Sequence, residues 1–337
     1  MALVSCEDVT HRKRAIRHHG AQHKQDRGRS RERAGVFDDK AQETKPRKRE
    51  AELKGDYLKK EKRRINNIVV ISDTHCGCRV GLCPPEGATL DDGGRYMPSK
   101  LQLKMWSYWR EFWDKWVPEA CHHEPFILVH NGDIVDGVHH NSTTQISHNL
   151  EDQAEIAYNC LAPIVDRAAA YYQIRGTEAH VGNSAVDEER LAKRLGAKRN
   201  QQGQYARYDL WLKLGDRLIH FLHHIGTGGS SAYEATAIGK EMVESFVEAA
   251  RWKEQPPDVT VRSHRHRNYE VRMPTANGYG ISVVTPAWQL KTAYAFKIAG
   301  ARLSPPQLGG IVIRFGDQDL YTRHRVWTIG RSQAEII

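Results

Sequence analysis

The feature of this sequence that most constrains its fold is a series of segments rich in Asp and His, each of which directly follows a run of apolar residues. Asp73 and His75 form the first segment and follow residues 65–72. That run is short, apolar and β-branched, and it therefore predicts a buried strand. A carboxylate and an imidazole two residues apart at a strand end can face one metal ion, although the same pair also occurs in surface turns.

The second segment places Asp133 after another predicted strand, 125–129, and beside Gly132, which permits a tight backbone turn. A carboxylate has two oxygens, so Asp133 could bridge two cations. The alternative is an ordinary Asp-Gly turn. His139 and His140 follow, and we interpret them as loop residues rather than ligands.

The third segment follows the predicted strand 171–174 and contains Glu178 and His180. Glu178 offers a hard oxygen ligand. His180 is a candidate proton donor. The alternative for this segment is an ordinary loop between a strand and a helix.

Histidines mark the last two segments. His223 and His224 lie at the polar end of a predicted strand, and either could be a ligand. His264 and His266 end the predicted strand 258–262. Two imidazoles in this spacing can face two neighbouring ions or chelate one, depending on the backbone.

The order of these segments resembles the motif series of the calcineurin-like metallophosphoesterases: D-x-H, G-D-x-x-D, G-N-H-[DE], H and G-H-x-H. The resemblance covers roughly residues 66–268, and the first two motifs match in full. The last motif has Ser263 in place of Gly. The third departs further, because residues 176–180 read Gly-Thr-Glu-Ala-His and lack the Asn ligand. In its long spacer and this third motif the chain is similar to family members carried by phages and prophages.

This resemblance implies an α/β fold, a four-layer α-β-β-α sandwich, and a pair of divalent transition-metal ions (Mn, Fe, Zn or Co) that activate a water against a phosphate ester. His180 would protonate the leaving group. We interpret Glu178 as taking the place of the missing Asn, with Thr177 as the alternative. The implied ligands are then Asp73, His75, Asp133 and His266 for one ion, and Asp133, Glu178, His223 or His224, and His264 for the other. His224, two residues before Gly226, fits the fourth motif slightly better than His223.

Several functions fit this resemblance, because the same fold serves nucleases, phosphodiesterases and protein phosphatases. The resemblance implies a phosphoester substrate, either a diester or a monoester. A nuclease or phosphodiesterase is favoured over a protein phosphatase only because of a basic N-terminal segment. A catalytically weak or inactive binding protein of the same fold is the alternative that the altered third motif favours. A nucleic-acid-binding protein whose tail is the functional part is a third interpretation.

Charge divides the chain into two parts. Residues 1–64 contain 20 Lys and Arg against 11 Asp and Glu, a net charge of +9 that equals the charge of the whole 337-residue chain. This segment is poor in apolar residues, so we expect a disordered or loosely helical extension that could contact nucleic acid. Residues 65–337 form the predicted metallophosphoesterase domain.

Cellular context is predicted from what the sequence does not contain. No run of 18 apolar residues or secretory signal is visible, so we expect a cytoplasmic protein without a membrane partner. Cys76, Cys78 and Cys83 are then interpreted as reduced thiols rather than a zinc site. The sequence does not define the oligomeric state.

Apolar periodicity predicts the remaining elements. Helices are predicted at 99–116, 150–170, 187–195 and 233–253. Further strands are predicted within 205–223 and at 269–273, 280–285, 309–314 and 319–327. The first helix carries four tryptophans on one face, which we interpret as facing the core rather than as a base-stacking site.

Overall fold

Strand β1 (Asn67–Ile71) shows how the fold is built from its sequence. Ile68 and Val70 pack into an apolar core formed by residues of two sheets. Val69 and Ile71 point the other way, into a second core shared with helices. Side chains alternate across a strand, so a strand that is buried on both faces must be apolar at every position.

The computed structural model describes residues 65–139, 141–182, 184–226, 231–297, 304–317, 319–330 and 333–336. The predicted basic extension, residues 1–64, lies outside the described residues, and so does its predicted contact with nucleic acid. His140, which the sequence analysis assigned to a loop, is also outside them.

Strands and helices alternate in the first half of the described chain, and strands dominate the second half. The strands after β1 are β2 (Ala88–Thr89), β3 (Arg95–Tyr96), β4 (Phe126–Asn131), β5 (Ala170–Ile174), β6 (Ala206–Arg207), β7 (Asp209–Leu214), β8 (Arg217–Leu222), β9 (Val259–Arg262), β10 (Tyr269–Thr275), β11 (Gly278–Val284), β12 (Gln307–Phe315) and β13 (Leu320–Thr328). The α-helices are α1 (Lys100–Glu111), α2 (Val117–Ala120), α3 (Leu150–Val165), α4 (Glu178–Val181), α5 (Val186–Arg194) and α6 (Glu234–Trp252).

Two larger sheets organise these strands. The first has the order β13-β12-β1-β4-β5-β6, with β1, β4, β5 and β6 parallel and β12 antiparallel to β1. The second has the order β10-β11-β9-β8-β7, with β8, β9 and β11 parallel. Strands β2 and β3 form a separate two-stranded ribbon.

The layers follow from the cores between them. One core joins the inner faces of the two sheets, and another joins the first sheet to α1, α3 and α5. A smaller core joins α6 to the outer face of the second sheet, through Ile238 and Val284. The structure therefore confirms the predicted four-layer α-β-β-α sandwich.

Two helices differ in detail from their predictions. The helix predicted at 99–116 changes at Phe112 from an α-helix into a π-helix that extends to Trp116. The helix predicted to reach residue 170 ends at Val165, because the chain must turn before Ala170 can pair with β4 as the start of β5. None of the helices described is long and apolar enough to cross a membrane.

The core assignment of the tryptophan face on the first helix is confirmed. Trp109 and Trp113 are at most 1% exposed and make edge-to-face contact at a ring distance of 5.5 Å. Trp106 and Trp116 are partly buried and pack against the same core.

Candidate metal centre

Backbone hydrogen bonds join the end of β1 to the end of β4. The Asp73 N–H donates to the Gly132 carbonyl at 2.9 Å, and the His75 N–H donates to the Asp133 carbonyl at 3.1 Å. Gly132 has φ +94°, and a Cβ at this position would lie 2.2 Å from Nδ1 of His223. Glycine is therefore required here both for the turn and for the close approach of the imidazole.

Five of the candidate ligands share an unusual backbone conformation. Asp73, His75, Asp133, His264 and His266 have φ values of 50°, 40°, 53°, 71° and 54°. Left-handed backbone at a non-glycine residue costs about 1–3 kcal/mol and persists only where the surrounding structure imposes it. Such residues concentrate at functional sites, so their clustering on three loops indicates one here.

Asp133 lies at the centre of the cluster. Its Oδ2 is 3.0 Å from Nε2 of His223. Three more imidazole nitrogens lie 3.9 Å from the same oxygen: Nε2 of His75, Nε2 of His180 and Nδ1 of His264. A buried carboxylate surrounded in this way is placed to bridge two cations.

Asp73 forms a second group of candidate ligands with two histidines. Its Oδ1 is 3.3 Å from Nε2 of His266 and 3.9 Å from Nε2 of His75. The two imidazole nitrogens are 3.1 Å apart. These side chains therefore offer one oxygen and two nitrogens close enough together to hold a single ion.

Unsatisfied polar atoms show that these side chains suit a metal. Oδ1 of Asp73 and Nε2 of His223 are buried, and neither makes a well-aligned hydrogen bond among the described residues, although His266 and Asp133 lie 3.3 Å and 3.0 Å away, respectively. His223 donates from Nδ1 to the Asn131 carbonyl at 2.7 Å, so Nε2 is the nitrogen that faces Asp133 and that would bind a metal on losing its proton. Mixed nitrogen and oxygen donors favour transition metals over Mg or Ca.

Buried negative charge also favours cations at this position. Burial alone would raise the pKa of Asp73 and of Asp133, but His266 and His223, respectively, hold these pKa values below the ordinary range. Burial would lower the pKa of His223, but Asp133 outweighs it and raises that pKa. Both carboxylates are therefore ionised at neutral pH, and buried charge of this kind requires compensation by an opposite charge.

The structure places Thr177, rather than the predicted ligand Glu178, against the cluster. The Thr177 N–H donates to Oδ1 of Asp133 at 2.6 Å. Its hydroxyl lies 3.3 Å from Oδ2 of Asp133 and 3.1 Å from Nδ1 of His264. Glu178 begins helix α4 with its side chain exposed, and it belongs to no group of candidate ligands found among the described residues.

His180 lies at the cluster with a defined tautomer. Its Nδ1 donates to the Asp136 carbonyl at 2.6 Å, so its Nε2 is the nitrogen that faces Asp133. Burial lowers the pKa of His180 to about 4, although Asp133 opposes this shift. The imidazole alone is therefore neutral at neutral pH, and a nearby phosphate anion would raise its pKa again.

The two neighbouring histidines after β8 differ in position. His223 is 2% exposed and faces Asp133, whereas His224 is exposed. His224 still lies near His264, with ring centroids 5.0 Å apart. The geometry favours His223 as the ligand that approaches Asp133.

Asp136 and His139 have a closer relation to the centre than the sequence indicated. Oδ1 of Asp136 lies 3.3 Å from Nδ1 of His75, and its two oxygens also accept hydrogen bonds from Gln289 and Gln145. Asp136 thus orients His75 through Nδ1, the ring nitrogen that does not face Asp73 and Asp133. His139 lies 3.6 Å from Asp136 and packs edge-to-face on His180. Spacing in the sequence suggested neither contact, except that Asp136 ends the second motif.

A cavity of about 400 Å³ opens beside the cluster. His75, Asp133, His180, His264 and His266 line its floor. A volume of this size is typical of sites for small organic ligands. The candidate ligands are therefore reachable by a substrate and are not sealed inside the core.

No protein-family model matches this chain, and no curated protein matches it. Among solved structures, a predicted phosphoesterase from Streptococcus pneumoniae has 9% identity and a TM-score of 0.30, covering 78% of this chain and 98% of its own.

Two further solved structures are similarly distant. Vacuolar Protein Sorting 29 from Cryptosporidium parvum has 10% identity and a TM-score of 0.31, with 78% of this chain and 98% of that chain covered. A Thermotoga maritima protein has 10% identity and a TM-score of 0.30, with 79% and 100% covered. At these values the comparisons do not define the function, which must be inferred from the site itself.

Proposed function

We propose that this protein is a metal-dependent phosphoesterase of the calcineurin-like kind. The observation that carries the proposal is the convergence, around Asp133, of nitrogen and oxygen donors from the ends of β1, β4, β8 and β9. The left-handed backbone of five of these residues supports it. So do the buried atoms Oδ1 of Asp73 and Nε2 of His223, which make no well-aligned hydrogen bond among the described residues.

Two sets of side chains would hold the metals. Asp73, His75, Asp133 and His266 would hold one ion, and Asp133, His223 and His264 would hold the other. When bound, a pair of divalent transition-metal ions would stabilise charge on the phosphoryl oxygens and activate a water. Thr177 orients Asp133 and His264 through its hydrogen bonds.

His180 is the residue that we assign to proton transfer. Its Nδ1 proton is held by the Asp136 carbonyl, so Nε2 is the atom that would take up and deliver a proton. The charge of a bound phosphate would raise the pKa of His180 toward neutrality, which is the range in which a general acid is effective.

Within this function we propose a preference for phosphodiesters, as in a nuclease or phosphodiesterase, over phosphomonoesters and phosphoproteins. Elemental analysis of the purified protein and an assay with bis-p-nitrophenyl phosphate and p-nitrophenyl phosphate, both with added manganese, test the proposal directly. We expect two equivalents of metal and faster hydrolysis of the diester. Treatment with a chelator should remove both the metal and the activity, and so should the substitution Asp133→Asn.

A second candidate function is that of a binding protein with the same fold but little or no catalysis. The specific observation in its favour is the third motif, which places a threonine at the cluster and leaves Glu178 exposed. A fully metal-loaded protein that hydrolyses neither substrate would support this function and contradict the first.

A further inference from the structure

Two kinds of side chain line the cavity beside the metal centre, and the hydrolytic chemistry proposed above uses neither of them. The basic ones are Arg265, Arg267 and Lys291. The apolar surface comes from Leu290, Tyr294, Ala295, Pro305 and Pro306. A substrate bound with its phosphate at the candidate metal ligands would therefore meet both positive charge and apolar surface in the same cavity.

Arg265 differs from the neighbouring arginines in its partners. Arg262 is buried and paired with Glu241, which gives it a structural role. Nε of Arg267 lies 2.9 Å from a carboxylate oxygen of Glu234. Nη1 of Arg267 also donates to Oγ of Ser304 at 2.6 Å. Arg265 is half-buried and lines the cavity, so its guanidinium can donate to a ligand oxygen there.

The position of Arg265 is fixed relative to the metal centre. It lies between His264 and His266 in the sequence, and its N–H donates to the Ser263 carbonyl at 2.9 Å. Burial lowers the pKa of Arg265, but a guanidinium remains charged at neutral pH. A guanidinium is planar and offers paired N–H donors that match the oxygens of a phosphate.

Tyr294 is the tyrosine among these lining side chains, and it is 52% exposed. Planar rings pack favourably against tyrosine, and stacking of nucleobases on aromatic side chains tolerates differences in base identity. Leu290 and Pro305 line the same cavity.

We propose that Arg265 and Tyr294 form a substrate subsite that selects phosphodiesters carrying a planar aromatic group, the chemical class of nucleotide esters. Arg265 donates hydrogen bonds to a non-bridging oxygen of the diester. Tyr294 packs against the aromatic group on the ester that is not cleaved. This inference rests on the proposed phosphoesterase function and adds a substrate class to it.

The test compares two diesters with the same leaving group, thymidine 5′-(p-nitrophenyl) phosphate and methyl p-nitrophenyl phosphate, using the manganese-loaded full chain. Arg265→Gln should lower kcat/KM about 10- to 100-fold for both diesters, because it removes a charge-assisted hydrogen bond. Arg265→Lys should recover part of this loss. Tyr294→Ala should reduce the preference for the thymidine ester over the methyl ester about 10-fold.

A matched control removes a positive charge elsewhere. Arg251→Gln changes an exposed arginine near the end of α6, outside the cavity, and should leave both kcat/KM values as in the wild type. Metal content should be the same in all variants. Wild-type rates for Arg265→Gln, or an unchanged preference for Tyr294→Ala, would overturn the inference.

The failure of the proposed function is distinguishable from the failure of this subsite. If the metal-loaded wild type hydrolyses neither diester, the phosphoesterase proposal fails. Calorimetric titration with the methyl ester of thymidine 5′-monophosphate then decides the inference by itself. Binding that weakens at least 10-fold in Arg265→Gln supports the subsite, and equal binding, or none by the wild type, contradicts it.

Discussion

One ring nitrogen of His180 is hydrogen-bonded to the protein backbone, and the other is available for proton transfer. The Asp136 carbonyl accepts the Nδ1 proton, and Nε2 faces the cavity. We predict that His180→Ala lowers kcat about 10²- to 10⁴-fold, the usual contribution of a general acid, and leaves metal content unchanged. Steady-state kinetics and elemental analysis on the same samples check this. Loss of one metal equivalent would instead identify His180 as a ligand.

Thr177 supports a second prediction at the scale of single residues. Its hydroxyl is within hydrogen-bond distance of both Asp133 and His264, whereas the Glu178 side chain is exposed. Thr177→Val should therefore weaken the binding of one metal about 10-fold, the size of effect seen when a group that orients a ligand is removed. Glu178→Ala, the matched control, should bind metal as the wild type does. The opposite result would restore Glu178 as the ligand.

The sequence predicted the segments of the site better than the individual roles within them. Asp133 and the histidines could be proposed because carboxylates and imidazoles are common metal ligands, whatever the fold around them. Thr177 stood only as the alternative to Glu178, because its contribution is a pair of hydrogen bonds, to Asp133 and His264, that exist only once the loops after β4, β5 and β9 meet. His139 was assigned to a loop for the same reason: its contact with Asp136 depends on how that loop returns to the site.

At the scale of elements, the turn after β4 depends on Gly132. This glycine has φ +94°, and an added Cβ would collide with the His223 ring. We predict that Gly132→Ala lowers the free energy of unfolding and also displaces His223, with loss of one metal equivalent. Gly196→Ala is the control, because Gly196 has φ +74° but nothing within 4 Å of an added Cβ. It should cost about 1–2 kcal/mol from backbone strain alone and keep both metals.

Chemical denaturation and elemental analysis of the two glycine variants separate the cost of backbone strain from the effect of a collision with the His223 ring. Equal metal content in both variants would show that the turn tolerates a shift of His223. Loss of metal in Gly132→Ala but not in Gly196→Ala would show that the close approach of the β4 and β8 ends requires a residue without a side chain at position 132.

The strands of the two larger sheets were predicted to within a few residues, and in β1 burial on both faces leaves a continuous apolar run. The two-residue strands β2 and β3 were not predicted, because they are too short to show a periodic pattern. Helix ends were less accessible to prediction. Residues 166–169 have no strong helix-breaking residue, and α3 ends at Val165 because the chain must return to pair with β4. In the π-helix at Phe112–Trp116, Phe112 packs on Trp288 and Trp327, and sequence periodicity does not distinguish this helix from an α-helix.

At the scale of the whole molecule, the two sheets are tied together at one edge by a polar contact as well as by their shared core. Glu270 belongs to β10, the edge strand of the second sheet. It accepts hydrogen bonds from Thr322 and faces Nε2 of His324 at 2.7 Å, and both of these residues belong to β13, the edge strand of the first sheet. The contact is partly buried, so it is less screened than a surface ion pair.

This contact predicts how stability depends on pH. Burial alone would raise the pKa of Glu270, but the bonds from His324, Thr322 and Arg272 lower it to about 2. An unfolded glutamate has a pKa of about 4.3. The unfolded state therefore binds more protons between these values, and the stabilisation by Glu270, fully present above about pH 5, is lost as pH falls toward 2.

Urea unfolding with a chelator present measures this effect. The loss of unfolding free energy in Glu270→Gln relative to the wild type should be largest near pH 7 and shrink below pH 4. Thr322→Val keeps the Glu270 carboxylate and removes one of its hydrogen bonds. Its loss of unfolding free energy should therefore show only part of this pH dependence. A deficit that stays constant from pH 7 to pH 2 would mean that the edge contact does not depend on the charge of Glu270.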